Sequence, residues 1–241
     1  PVPVVTRAED CFALTPEALR MAITPKTKAL ILPYPNNPTG GVMSREQLCD
    51  IAQVLEGTDI VVISDEIYSE LVYGGHKHTS FASIEGMWER TITLNGFSKA
   101  FAMTGWRVGY ACGPRELIAP MFKIHQYTML CASIMGQTAA DRALGRAFET
   151  DFEDVKTMVR SYDRRRRLMV ERLNGMGLTC FEPKGAFYVF PSIASTGLTS
   201  DEFCTRLLKE KHVACVPGTA FGASGEGHIR CSYATSVEKL S

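Results

Sequence analysis

Short apolar runs alternate with amphipathic stretches along the first half of the chain. The runs at residues 29–32, 60–63, 92–94 and 108–112 are too short for helices and are bounded by turn residues, so they read as strands. Residues 1–5, Pro-Val-Pro-Val-Val, read as a further short strand. Between the runs lie helical patterns with start and stop signals. Thr15 is placed as an N-cap before Pro16, and Ser44-Arg-Glu-Gln47 fits a capping box opening a helix that ends at Gly57. Alternating strands and helices predict an α/β layered fold with a mainly parallel sheet. After Gly113-Pro114 the pattern turns helical to about Met176, and residues 152–174 form one long helix bridging two lobes. A smaller α+β unit follows, with strands at residues 179–181, 186–190, 213–216 and 227–232 and a helix after Ser200. A boundary near residue 155 divides the chain into a large domain, 1–154, and a small C-terminal domain, 155–241.

Polar punctuation follows three of these strands. The first run passes into Pro33-Tyr-Pro-Asn-Asn-Pro-Thr-Gly-Gly41, where proline before and after Asn37 stiffens the turn and the glycines allow unusual dihedrals. Taken alone, an ordinary strand-to-helix connection is the better reading of this segment. The second run ends in Ser64-Asp-Glu-Ile-Tyr68, which sets Asp65 at the carboxyl edge of a parallel sheet, the usual ligand crevice. An N-cap is the plainer role for Asp65. The third ends in Asn95-Gly-Phe-Ser-Lys99, with Arg107 about two helical turns later. Burial favours the neutral form of a lysine, and a neutral amine attacks an aldehyde to form a Schiff base. Arg107 is a fixed positive charge for an anion such as phosphate. A molecule carrying both groups is pyridoxal 5′-phosphate, whose pyridine nitrogen a carboxylate such as Asp65 keeps protonated.

Taken together, Asn37-Pro-Thr-Gly40, Asp65-Glu-Ile-Tyr68, Ser98-Lys99 with Arg107, and Ile229-Arg-Cys-Ser-Tyr-Ala234 resemble the fold-type I pyridoxal-phosphate aminotransferases of class I/II, which include the aspartate and aromatic enzymes. The resemblance covers nearly the whole chain. It implies that Lys99 holds the cofactor as a Schiff base and moves the substrate proton. It also implies that Asn37 and Tyr68 contact the ring oxygen, Asp65 the ring nitrogen and Arg107 the phosphate. It implies further that Arg230 takes the substrate α-carboxylate and that Asn37 also belongs to the substrate-binding residues. Amino acid and 2-oxo acid substrates, ping-pong turnover and a homodimer follow from the same likeness. Many family members carry a serine three residues before the lysine, where this chain has Gly96. By the same resemblance roughly the first third of a full-length enzyme is absent, and the final helix is cut short, so the chain is expected to be a fragment. Two other activities share the fold: a pyridoxal-phosphate carbon–sulfur lyase, and a transcriptional regulator using the domain as an effector site. The run Phe101-Ala-Met-Thr-Gly-Trp106 is closer to the aminotransferase subgroup.

Composition narrows the field further. With 26 basic and 26 acidic side chains the formal charge is zero, which removes any global electrostatic case for nucleic acid or an anionic membrane. Arg164-Arg-Arg-Arg167 lies in a helical pattern and reads as a solvated face. The eight cysteines include no Cys-x-x-Cys pair and read as reduced core residues of a cytoplasmic protein. His76 and His78 read as surface-loop residues, and Lys184-Gly-Ala-Phe-Tyr-Val-Phe190 as a core strand of the small domain. No metal site is expected.

Overall fold

The computed structural model describes residues 1–240. Four strands form the first sheet, β1 (Ala29–Pro33), β2 (Val61–Asp65), β3 (Thr91–Gly96) and β4 (Gly109–Cys112), in that spatial order. β1, β2 and β3 run parallel, in the register Ala29–Val61 and Val62–Thr91, while β4 returns antiparallel to β3. The three parallel strands therefore end on one edge, at Pro33, Asp65 and Gly96. Residues 1–5 form no strand; their backbone has no ladder partner.

Two helices cover one face. α1 (Pro16–Ala22) is capped by Thr15, whose side chain accepts from Ala18 N. α2 (Arg45–Leu55) opens on the capping box, with Gln47 N donating to Ser44 Oγ at 3.2 Å and Ser44 N to Gln47 Oε1 at 2.9 Å. Leu48, Ile51 and Leu55 on α2 pack with Leu19, Leu32, Val62 and Phe81 to make the main core. Each such side chain contributes about 1.5–3 kcal/mol by leaving water. The opposite face of β1 is open, and Ile31 there is 66% exposed.

Three helices follow, α3 (Arg115–Thr128), α4 (Ile134–Glu149) and the long α5 (Glu153–Gly175). The second sheet has the order β5-β7-β6, all antiparallel, from β5 (Tyr188–Val189), β6 (Val216–Pro217) and β7 (Ile229–Ser232), with α6 (Ser200–Lys211) beside it. A last short helix, α7, spans Val237–Leu240. The apolar run at 179–181 is not a strand; Cys180 N bonds the Asn174 side chain instead, at 3.0 Å.

The two sheets are joined through backbone. Lys184 N and Gly185 N both donate to Gly40 O at 2.9 Å, Tyr73 N donates to Lys184 O, and Ala186 N to Leu71 O. This approach demands glycine on both sides. A Cβ on Gly40, which also has φ +71°, would lie 2.3 Å from Pro183 Cβ, and one on Gly185 would lie 2.5 Å from Pro35 Cβ.

Two composition readings are corrected here. Within the arginine run, Arg166 is buried rather than solvated. It donates to Asp163 at 2.7 Å, Glu182 at 2.6 Å and Pro183 O at 3.2 Å, over the Tyr73 ring. A fully buried guanidinium is tolerated because its N–H groups are paired. The cysteines do not all belong to the core: Cys180 and Cys204 are buried, but Cys11, Cys112 and Cys131 are exposed, and all eight are free thiols.

Candidate active site

The carboxyl edge of the parallel strands collects the polar motifs. Asn37 lies in the turn after β1, Asp65 closes β2, and Lys99 follows β3. No α-helix separates Lys99 from Arg107. The chain instead makes turns and a short 3₁₀ segment, Thr104–Trp106, and Arg107 itself is left-handed at φ 54°. Because Gly96 pairs with Gly109, the loop carrying both Lys99 and Arg107 leaves and re-enters the sheet at that same edge.

Lys99 is half-buried. Its Nζ stands 5.7 Å from the Tyr68 ring centre and 5.8 Å from that of Phe187, with no hydrogen bond or ion pair among the described residues. The Tyr68 hydroxyl is 3.1 Å from the Tyr188 hydroxyl. Burial first, and then that contact, push Tyr68 well above the ordinary phenol range. Arg230, on β7, donates to Asn37 Oδ1 at 2.8 Å and lies between the Tyr188 and Phe221 rings, 4.6 and 4.9 Å from their centres. Asn37, Tyr68, Lys99 and Arg230 thus form one connected group through Phe187 and Tyr188.

Asp65 closes an Asx-type turn rather than capping a helix. Its Oδ1 accepts from Ile67 N at 3.1 Å, and its second oxygen has no hydrogen-bond partner among the described residues. Arg107 stands apart from the group. It is exposed and gives Nη1 to Thr104 O at 3.1 Å, within its own turn.

Gly96 has a steric reason. A Cβ there would lie 2.9 Å from Gly109 Cα and 2.9 Å from Val108 O, so the strand pairing leaves no room for a side chain. Its N–H is also taken, by Asn95 Oδ1 at 2.7 Å.

Several site residues escaped the sequence reading. Phe187 and Tyr188 lie in the segment read as core strand. The one available signal was a buried tyrosine hydroxyl, which needs a polar partner. Phe221 sits on a 3₁₀ turn, Gly218–Phe221, and only the flanking glycines marked it. Behind Asp65, the buried Glu66 accepts from Ser64 Oγ at 2.9 Å, Ser80 Oγ at 2.8 Å and Phe81 N at 3.1 Å, and contacts His78 Nε2 at 2.8 Å. Burial alone would raise Glu66; these contacts outweigh it and hold the carboxyl below the usual range. His78 is thus a partner of Glu66 rather than a free loop residue.

Comparison with known proteins shows the family and the fold. The sequence profile described as aminotransferase class I and II matches residues 1–241. An aspartate aminotransferase of Pyrococcus abyssi is 50% identical over 240 residues, and the aromatic-amino-acid aminotransferase 2 of Thermococcus litoralis is 48% identical over 240. Each match takes in 100% of this chain and 61% of the relative, so the chain spans about three fifths of their length. The crystal structure of an aromatic aminotransferase from Pyrococcus horikoshii superimposes with a TM-score of 0.95 at 49% identity, covering 100% of this chain and 64% of that one. The chain therefore belongs to the class I and II aminotransferases and has their fold-type I α/β architecture.

Proposed function

We propose that the protein carrying this chain is a pyridoxal-phosphate-dependent transaminase that moves an amino group between an L-amino acid and a 2-oxo acid. One observation carries the reading. An amine without a polar partner, Lys99 Nζ, and a stacked guanidinium, Arg230, flank the same hydroxyl-linked pair, Tyr68 and Tyr188.

The residues present fit the cofactor. Lys99 has a free amine for the aldehyde, Asp65 a spare carboxylate oxygen for the pyridine nitrogen, and Tyr68 and Asn37 polar groups for the ring oxygen. Arg107 has guanidinium N–H groups left for the phosphate. When bound, pyridoxal 5′-phosphate supplies the aldehyde that captures the amino group and the ring that takes up the electron pair released at the substrate Cα. Arg230 binds the α-carboxylate through its planar fork, which lies over the Tyr188 and Phe221 rings. Asn37 fixes one end of that fork. Lys99 Nζ takes and returns the proton at Cα. Asp65 holds a proton on the ring nitrogen.

The names of relatives near 50% identity support this reading over a carbon–sulfur lyase or a regulator. A homodimer is supported by the apolar surface along α3, the α3–α4 connection and the start of α4, where Phe122, Tyr127, Leu130 and Ile134 are 62, 81, 78 and 73% exposed. Among the described residues no helix is long and apolar enough to cross a membrane.

The test is reduction of the cofactor-loaded full chain with borohydride, followed by peptide mapping. A pyridoxyl adduct on Lys99 is expected. An adduct elsewhere, or none, overturns the reading.

A further inference from the structure

β6 and β7 bring together two thiols that transamination does not use. Their ladder pairs Val216 with Arg230 and Pro217 with Ile229, and one step further sets Cys215 opposite Cys231. The two Sγ atoms are 3.5 Å apart and hydrogen-bonded. Gly218 N donates to His228 O at 2.8 Å, which makes 218–228 a hydrogen-bonded pair. By alternation Cys215–Cys231 is a non-hydrogen-bonded pair, where opposed α-carbons sit closest, at about 4.5 Å. A disulfide bridges α-carbons about 4.4–6.8 Å apart, so this pair can close by a local shift of β6 against β7 with the ladder kept.

Two more thiols lie in the neighbouring clusters, yet the chemistry falls to one pair. Burial pushes Cys180 up to about 12 and Cys204 up to about 11, so both stay protonated and inert. In the opposed pair, the bond from Cys231 lowers Cys215 and raises Cys231. Cys215, half-buried, is the nucleophile, and Cys231 holds the shared proton. No group of three or more His, Cys, Asp or Glu side chains among the described residues is arranged to hold a metal ion.

We propose that Cys215 and Cys231 form a thiol–disulfide site, closed by a small-molecule disulfide or a hydroperoxide, and that closure loosens the carboxylate grip of Arg230. With a small disulfide, the Cys215 thiolate attacks one sulfur and expels a thiolate. Cys231 then loses its proton, attacks Cys215 Sγ and expels the second thiol. With hydrogen peroxide, Cys215 becomes a sulfenic acid as the O–O bond breaks, and condensation with Cys231 releases water. Either way two electrons pass from the pair to the oxidant, giving two thiols or two waters.

The coupling follows from position. Closure brings the sulfurs from 3.5 Å to about 2.05 Å. Cys231 adjoins Arg230, and β7 also pairs Cys231 with Val189 and Ser232 with Tyr188. Both the guanidinium and the ring beneath it therefore feel the shift. A displacement of about 1 Å at a positioning group costs on the order of 10²-fold in rate. This coupling rests on the role proposed for Arg230; the thiol pair itself does not.

The experiment treats the full chain, loaded with pyridoxal 5′-phosphate, with oxidised glutathione or hydrogen peroxide. Unreduced peptide mapping is combined with kinetics on L-aspartate or L-phenylalanine and 2-oxoglutarate. The expected result is a Cys215–Cys231 linked peptide, lighter than the two reduced peptides by two hydrogens. KM for the amino donor should rise about tenfold or more. Both changes should reverse with dithiothreitol and be absent in Cys215→Ser. Recovery of both residues as free thiols, under conditions that oxidise the exposed Cys11, Cys112 and Cys131, overturns the site. A linked pair with unchanged KM overturns the coupling. If the reduced protein shows no turnover, the transaminase reading fails, while the peptide map still decides the thiol pair.

Discussion

Arg230 Nη1 donates to Asn37 Oδ1 at 2.8 Å, joining residues 193 positions apart. The bond ties β7 to the turn after β1, and it leaves the remaining guanidinium N–H groups for a ligand. Lysine cannot reproduce that planar fork, nor its stacking between two rings. Arg230→Lys is expected to raise KM for the amino donor by roughly 10²-fold, the loss of about 2–3 kcal/mol carried by a charge-assisted bidentate contact. Asn37→Ala should raise it by about tenfold, because it removes a single contact that orients the guanidinium and leaves the guanidinium's own contacts to the carboxylate in place. Steady-state kinetics on both variants checks this, and equal KM values would falsify the assignment of Arg230 to the carboxylate.

Tyr188 serves both halves of the site. Its ring faces Arg230 and its hydroxyl meets Tyr68. Two variants separate the roles. Tyr188→Phe keeps the ring, so KM is expected within about threefold of the parent, whereas Tyr188→Leu forfeits a cation–π contact of about 0.5–2 kcal/mol and should raise KM about tenfold. If the two variants behave alike, the ring does not hold Arg230.

Much of this arrangement was legible in the sequence because local signals agreed with the global fold. Apolar runs gave the four strands of the first sheet, and the Ser44–Gln47 box gave the start of α2 to the residue. That Asn37, Asp65 and Lys99 lie at one edge was legible because each follows its own strand, and parallel strands share an edge. What escaped lies where pairing is non-local. The strand expected at 1–5 has no partner, and a partner cannot be read from propensity. Phe187 and Tyr188 alternate as any core strand does, and their approach to the first sheet depends on non-local backbone bonds joining residues 184–186 to Gly40, Leu71 and Tyr73, which local pattern does not reveal. Arg166 was read as solvated because helical spacing does not reveal that Glu182 and Tyr73 approach from another segment.

Glu66 makes acid stability testable. Its folded pKa lies below the ordinary value of 4.5, so its contribution is present in full above that value. The contribution is lost as pH falls through the lower folded value. Glu66→Gln removes the charge while its amide faces three hydrogen-bond donors and His78. It should cost about 2–3 kcal/mol at pH 7. The gap to the parent should narrow as pH drops below 4.5. Urea unfolding midpoints from pH 7 to pH 3 provide the reading; a pH-independent gap would show that packing, and not the ionised carboxylate, is what the variant loses.

Arg166 anchors the strand that bears Tyr188. From α5 it binds Asp163 on its own helix and Glu182 and Pro183 O on the segment leading to Gly185, and it covers the Tyr73 ring. The Tyr73 hydroxyl in turn bonds Ala186 O, as does Tyr233 at 3.2 Å. Both acids are held below their ordinary ranges. For Asp163 the Arg166 and Arg167 bonds outweigh burial, and for Glu182 the bond from Arg166 leads. Removing the guanidinium leaves Asp163 with Arg167 alone and Pro183 O without its donor. The loss is that of hydrogen bonds between charged groups, about 1.5–3 kcal/mol for the shielded Asp163 contact and less for Glu182, whose side chain is half exposed and keeps Lys184. Arg166→Ala should therefore lower the thermal midpoint by many degrees, and Arg166→Met, which refills the volume, should recover only the packing share. Because the same contacts seat residues 183–188, both variants should also raise KM for the amino donor when assayed well below their midpoints. Loss of stability with KM unchanged would mean that the Gly40–Gly185 backbone bonds alone hold Tyr188 in place.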